Sequence, residues 1–147
     1  MIRHFEIPRI EGLPPKKDGS KSFWHKWNQK EKVEIDRLIT LRRTVYGRLN
    51  GQKPLTKDIR LRVCVHTGRY GLEEAGDLDN SLGGICDGLT SHCCDTIHCN
   101  PWNDASYADI HPRKALAVAN DKAIVSIDAM SIASEGEPWY SIELHGF

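Results

Sequence analysis

Two aspartates separated by one residue are the part of this sequence best suited to chemistry. They lie in the segment Gly76-Asp77-Leu78-Asp79-Asn80, where a loop enters a predicted helix. Two carboxylates at this spacing can converge on one hard cation through oxygen ligands. Mg²⁺ usually takes only one or two protein carboxylates, and water and substrate phosphate fill its other positions. These two aspartates and one distant third acid would therefore suffice for a Mg²⁺ site. Asp121, directly before a predicted strand and followed by Lys122, is the candidate for that third acid. The alternative is that Asp77 and Asp79 only cap the helix.

The charges of this chain are divided between its two halves. Residues 1–70 contain 17 Lys and Arg against 7 Asp and Glu, whereas residues 71–147 contain 3 against 13. This asymmetry is typical of a phosphate-binding surface beside an acidic site, and the competing interpretation is that the two halves pair with each other. The first interpretation predicts contacts to a DNA backbone from six basic residues: Lys16, Lys17, Lys21, Lys26, Lys30 and Arg69.

A second group of chemically active residues lies in His92-Cys93-Cys94-Asp95-Thr96-Ile97-His98-Cys99. Cys93, Cys94, His98 and Cys99 offer the sulfur and nitrogen ligands that a structural zinc prefers. The spacing contains no Cys-x-x-Cys pair, so a loop with free thiols is the competing interpretation. An odd number of cysteines, five, argues against disulfide stapling.

The elements that must position these groups follow from hydrophobic periodicity and turn residues. The alternation at 58–67 predicts a half-buried strand, and the spacing of apolar residues predicts a helix whose polar face carries Arg42 and other basic residues. The expected class is α+β: a single domain at 1–147, with a β-α-β-α-β-β mixed sheet, two helices packed on it, and an irregular insert at about 90–119. Strands are predicted at 2–10, 58–67, 123–133 and 139–144, and helices at 23–49 and 78–89.

The Asp-x-Asp-Asn segment, followed by Ile85-Cys86-Asp87-Gly88-Leu89, resembles the RusA family of Holliday-junction resolvases. Asn120-Asp121-Lys122-Ala123-Ile124-Val125 is similar to the later family segment, where an acid precedes a strand. The resemblance implies a homodimeric endonuclease, dependent on Mg²⁺ or Mn²⁺, that nicks branched DNA in recombination and repair. It implies catalytic and metal-binding roles for Asp77, Asp79 and Asp121. The family pattern has a catalytic lysine where this chain has Gly83, and the candidate substitutes are Lys122, beside Asp121, and Lys114.

Three functions therefore remain as hypotheses. The first is a structure-selective endonuclease, and the second is a junction-binding protein that has lost turnover with its lysine. The third is a small zinc-binding interaction protein in which the Cys/His segment matters most. No apolar run reaches membrane-spanning length and no signal sequence is recognisable, so a cytoplasmic location is expected.

Overall fold

Within the part of the chain that the structure describes, four strands form one mixed sheet, with helices between them in the chain. The computed structural model describes residues 4–16, 32–72, 77–91, 102 and 104–146, and all its elements belong to those ranges. The strands are β1 (His4–Glu11), β2 (Ile59–His66), β3 (Ile124–Ile132) and β4 (Trp139–Gly146). The helices are α1 (Lys32–Leu49) and α2 (Leu78–Leu89), and short 3-10 turns occur at Gly68–Tyr70, Ala105–Ile110 and Asp121–Ala123.

The strand order β1-β4-β2-β3 makes the sheet mixed. β4 pairs antiparallel with both β1 and β2, whereas β3 runs parallel to β2 because α2 provides the crossover between them. The sheet also has two sides at which its strands begin and end. We call the side where β2 ends the upper edge and the side where β2 begins the lower edge, as distinct from the edge strands β1 and β3. Ile59 pairs with Ile124 at the lower edge, and His66 pairs with Ile132 at the upper edge.

Alternation along the strands directs every second side chain into one hydrophobic core. In β2, Ile59, Leu61, Val63 and Val65 are buried, and the side chains between them face the other way. The buried side chains pack against Leu41 and Val45 of α1 and Ile85 and Leu89 of α2. Both helices therefore cover the same face, and neither helix covers the opposite face of the sheet, called the open face.

Arg42 holds α1 to the far end of α2 from inside the protein. Its side chain is fully buried, and its guanidinium donates to the carbonyl oxygens of Gly88 and Thr90 at 3.0 and 2.9 Å. It also donates to the carbonyl oxygens of Ile110, His111 and Lys114 at 2.6–2.9 Å. Burial lowers the pKa of Arg42 to about 10, so the group stays charged at neutral pH. The prediction that Arg42 lies on a polar face was wrong.

The part of the insert beyond residue 101 explains this burial. Trp102 and Ile110 pack on Ile35 and Leu38 of α1 and form a second, smaller hydrophobic cluster. Because α1 is covered by the sheet on one side and by the insert on the other, an arginine between the two clusters is enclosed. The N–H groups of its planar guanidinium donate to carbonyl oxygens that have no partner within a helix, because the helix ends or the chain turns there.

Gly84 permits close contact between α2 and the segment that follows β1. A Cβ built on Gly84 would overlap the carbonyl oxygen of Pro15, a backbone atom that cannot rotate away. We therefore expect Gly84→Ala to lower the free energy of unfolding by about 1–3 kcal/mol, although alanine is the better helix former. Urea unfolding followed by circular dichroism checks this, with Gly47→Ala in α1 as the control because a Cβ at Gly47 meets nothing within 4 Å. Equal stability of the two variants would contradict the close contact.

The predicted α+β class, with its mixed sheet and two helices, is confirmed. The predicted bounds of α2 agree with the observed Leu78–Leu89. The helix predicted from residue 23 is described from Lys32 onwards, and residues 17–31 lie outside the described ranges. No helix in the described part of the chain has the length and apolar character needed to cross a membrane.

Candidate functional site

Asp77 and Asp79 lie together at the amino end of α2. Asp77 is the residue before the first turn of the helix, and Asp79 is in that turn. Both side chains are exposed, and the carboxylate of Asp77 accepts no capping hydrogen bond. Within the described ranges neither aspartate has a side-chain hydrogen bond or an ion pair. The capping interpretation therefore does not explain Asp77, and both carboxylates are available to a ligand that approaches this end of the helix.

Asp121 lies at the other end of the crossover. Leu89, the last residue of α2, accepts hydrogen bonds from the amides of residues 116–118, and Val118 bridges to Leu55 just ahead of β2. α2 therefore runs from the upper edge to the lower edge, a length of roughly 18 Å for 12 residues at about 1.5 Å each. Asp121 and Lys122 precede β3 and are exposed at the lower edge.

One chain does not bring the three aspartates together. Among the described residues, the donor atoms of Asp77, Asp79 and Asp121 do not form a group within 4.8 Å of one another. The sequence could place Asp121 before a strand, but the position of that strand's start depends on its parallel pairing with β2. A metal centre containing aspartates at all three positions would therefore need a second copy of the chain to supply at least one of them.

The basic residues proposed for DNA contact are only partly described. Lys17, Lys21, Lys26 and Lys30 lie outside the described ranges. Lys16 is half-buried after β1, and Arg69 is exposed after β2, so both lie at the upper edge with the first two aspartates. Arg69 lies 3.6 Å from Glu137 and over the ring of Tyr70.

Some basic residues of the first half of the chain form ion pairs with acidic residues of the second half. Arg62 of β2 lies 3.5 Å from Asp128 of β3 and 3.7 Å from Glu143 of β4. Arg69 makes a similar pair with Glu137. These exposed pairs add little to stability, because water screens them, but they reduce the positive potential that the composition alone predicts.

The Cys/His segment proposed for zinc, with Cys93, Cys94, His98 and Cys99, lies outside the described residues. His111, further along the insert, is described and is half-buried beside Arg42. Burial and the neighbouring Arg113, Arg42 and Lys114 lower the pKa of His111. Its Nδ1 accepts a hydrogen bond from the amide of Arg113 at 3.2 Å, which leaves this nitrogen committed to the local turn.

A cluster that the sequence analysis missed lies on the open face near the lower edge. The donor atoms of His4, Glu143 and His145 all lie within 4.8 Å of one another. The Nε2 of His4 is 3.4 Å from Oε1 of Glu143, and the Nε2 of His145 hydrogen-bonds the same oxygen. The imidazoles of His4 and His145 stack at 4.5 Å between centroids. Hydrogen bonding from His145 lowers the pKa of Glu143, so its carboxylate is ionised at neutral pH.

Only one residue of this cluster, Glu143, lies in a predicted strand, at 139–144. The observed β4 continues to Gly146, so Glu143 and His145, two residues apart, share a face of the sheet. His4 is joined to them by the antiparallel pairing of β1 with β4, in which His4 opposes His145. Nothing within either segment predicts that pairing.

A cleft of about 340 Å³ opens at the upper edge between β1, α1 and β4. Its lining includes the carboxylates of Glu11, Asp36 and Glu137 with a single arginine, Arg37. Tyr140 also lines it, and its buried hydroxyl has no hydrogen-bond partner within the described ranges. Three carboxylates against one guanidinium make this cleft unsuited to a phosphate group.

No protein-family model matches the chain, and no curated protein matches its sequence. The function therefore has to be argued from the residues and their geometry.

Proposed function

We propose that this protein is a metal-dependent endonuclease that nicks branched DNA. The observation that carries the proposal is the pair of exposed carboxylates, Asp77 and Asp79, on a helix end where one of them occupies the capping position without capping. In the RusA-like pattern these positions hold Mg²⁺ or Mn²⁺. A divalent ion held there would activate water and orient the scissile phosphate. Lys16 and Arg69 at the same edge would contact the DNA backbone, which carries no base information.

The distant Asp121 is accommodated if the active form is a symmetric homodimer. β3 is one of the two edge strands of the described sheet, and four of its side chains are large, apolar and exposed: Val125, Ile127, Met130 and Ile132. An uncovered apolar edge strand is a template for pairing with another strand. Antiparallel pairing of two β3 strands about a two-fold axis would set the lower edge of one subunit beside the upper edge of its partner. Asp121 would then face the Asp77 and Asp79 carboxylates of the partner subunit.

The register of such a pairing is limited by charge. Pairing centred on Asp128 would oppose two carboxylates, which is unfavourable. Centring it on Ala129 instead places Asp128 opposite Met130 of the partner subunit and keeps the helices of both subunits on one face. Two metal sites per dimer are then available for two nicks in opposed strands.

The direct test is cleavage of a synthetic four-way DNA junction with labelled strands. We expect paired, symmetric nicks in Mg²⁺ or Mn²⁺, none in EDTA, and little cleavage of a linear duplex of the same sequence. Tight junction binding without nicks in either metal would instead favour the non-catalytic binding protein. Absence of both binding and cleavage would contradict any junction-directed role.

If each active site is formed by both subunits, two inactive variants with different substitutions should restore activity when they form a heterodimer. Asp79→Asn and Asp121→Asn proteins should each be inactive as homodimers. After the two are mixed and allowed to exchange subunits, one of the two sites in each heterodimer regains all its aspartates, so nicking should return. If the wild type cuts and the mixture stays inactive although heterodimers form, the sites are not shared between subunits. That outcome leaves the nuclease proposal itself standing.

Gly83 offers a gain-of-function prediction. It lies one helical turn beyond Asp79, on the same side of α2, at the position of the family lysine. We expect Gly83→Lys to raise the junction-nicking rate by about tenfold or more, because a cation there stabilises charge that develops on the phosphate. Gly83→Ala is the matched control, since it makes the same change in helix propensity without the charge. Equal rates for the two variants would count against an active site at this helix end.

A further inference from the structure

We infer that His4, Glu143 and His145 form a zinc-binding site that links the amino-terminal strand to β4. This site is separate from the proposed nuclease centre and does not depend on it. It lies on the open face, which the helices do not cover, and its three residues come from two neighbouring strands.

The ligand types select the metal. Two imidazole nitrogens and one carboxylate oxygen are a common zinc set, in which three protein ligands leave a fourth position for water. Mg²⁺ prefers an all-oxygen shell and would be bound poorly by two histidines. The two metal sites of the protein, at the aspartates and at this cluster, would therefore take different ions.

The sheet holds the three ligands in place before any metal arrives. His4 and His145 oppose each other across the β1–β4 pairing, and Glu143 is two residues along the same strand, so all three side chains leave one face. The Nε2 atoms of His4 and His145 are already directed at a single oxygen of Glu143. Zinc binds imidazole nitrogens that carry no proton, so each histidine would have to hold its proton on Nδ1. Because the three donor atoms already lie close together, little movement of the side chains is needed for the ion to bind between them.

Arg62 orients the carboxylate from the other side. Its Nη1 lies 3.7 Å from Oε2 of Glu143, while both histidines approach Oε1. One oxygen thus pairs with the guanidinium, and the other points toward the imidazoles. Contacts of this kind, one step beyond the ligands, fix the geometry of metal sites and raise their affinity.

Zinc titration of metal-free protein tests the inference. Since the Cys/His segment offers competing thiolates, the background is the Cys93→Ser, Cys94→Ser, Cys99→Ser protein, stripped with EDTA and dialysed. Calorimetric titration with zinc chloride is expected to show one ion bound per chain. Co²⁺ used as a spectroscopic substitute should show ligand-field bands without thiolate charge transfer.

Single substitutions then assign the ligands. His4→Ala, Glu143→Gln and His145→Ala should each weaken zinc binding by at least about tenfold. They should also remove the zinc-dependent rise in melting temperature, which follows from binding to the folded state alone. His66→Ala is the control, because His66 lies on the same face but stacks on Trp139 with centroids 3.7 Å apart, outside the cluster. Circular dichroism of each variant without zinc verifies that it is folded.

The results separate a metal site from an ordinary polar cluster. Loss of zinc binding in the three cluster variants, with retention in His66→Ala, supports the site. Unchanged affinity in His4→Ala, whose side chain is half exposed on an edge strand, would overturn it. Uptake of zinc only when the three cysteines are present would overturn it as well and would assign the metal to the insert.

Discussion

Arg42→Met is expected to lower the free energy of unfolding by about 3–5 kcal/mol, a large fraction of the stability of an ordinary domain. The guanidinium donates to carbonyl oxygens at the end of α2 and to three more in the insert. Methionine fills much of the same volume but donates nothing, so these buried acceptors would lose their partners. The carbonyl end of a helix also carries partial negative charge, which the cation offsets.

Urea unfolding followed by circular dichroism measures this loss as a lower midpoint with an unchanged slope. Arg42→Lys should also be destabilising, because an ammonium cannot reproduce the planar fork of donors. The matched control is Arg43→Met. Arg43 is the next residue on α1, is exposed, and lies over the ring of Tyr107 at 4.9 Å, so its loss should cost less than about 1 kcal/mol. Similar stabilities for the Arg42 and Arg43 methionine variants would refute the anchoring role of Arg42.

Asp79→Asn is expected to reduce the rate of junction nicking by at least about 100-fold in Mg²⁺, if the protein is the proposed nuclease. A metal-bound carboxylate is responsible for several kcal/mol of transition-state stabilisation, and each 1.36 kcal/mol corresponds to a factor of about ten in rate. The amide has the same shape but lacks the charge that holds the ion. Junction affinity measured in Ca²⁺ or without metal should stay near that of the wild type, because binding rests on basic residues.

Stability changes cannot account for such a loss of activity. Asp79 is exposed in the first turn of α2, so neutralising it removes only about 0.3–1 kcal/mol of favourable interaction with the helix dipole. Asp109→Asn serves as the control, since Asp109 is exposed on the 3-10 turn Ala105–Ile110, away from the proposed centre. Full activity in Asp79→Asn would exclude this carboxylate as a metal ligand and would leave its favourable interaction with the helix dipole as its role.

Local sequence patterns determined most of the individual elements. The alternation of β2 follows from side chains that leave a strand on opposite sides, and it assigns Leu61 and Val63 to the core and Arg60 and Arg62 to the open face. The predicted bounds of α2 likewise agree with the observed helix. In each case the information lies within one turn or a few residues, where backbone geometry acts directly.

Tertiary packing decided what surrounds each of these elements. Helical periodicity shows which positions of α1 share a face, but it does not show that Trp102 and Ile110 cover the opposite face and enclose Arg42. A charged residue on such a helix is therefore assigned to solvent until the second covering layer is known.

The two candidate metal sites show the same division. Sequence alone predicted that Asp77 and Asp79 lie at one helix end, because a single residue separates them. It placed Glu143 in a strand as well, but it ended that strand one residue before His145. Only the tertiary structure decided that Asp121 lies at the opposite edge and that His4 opposes His145. Those placements depend on the direction and order in which strands pair, and pairing energy comes from contacts between residues far apart in the chain.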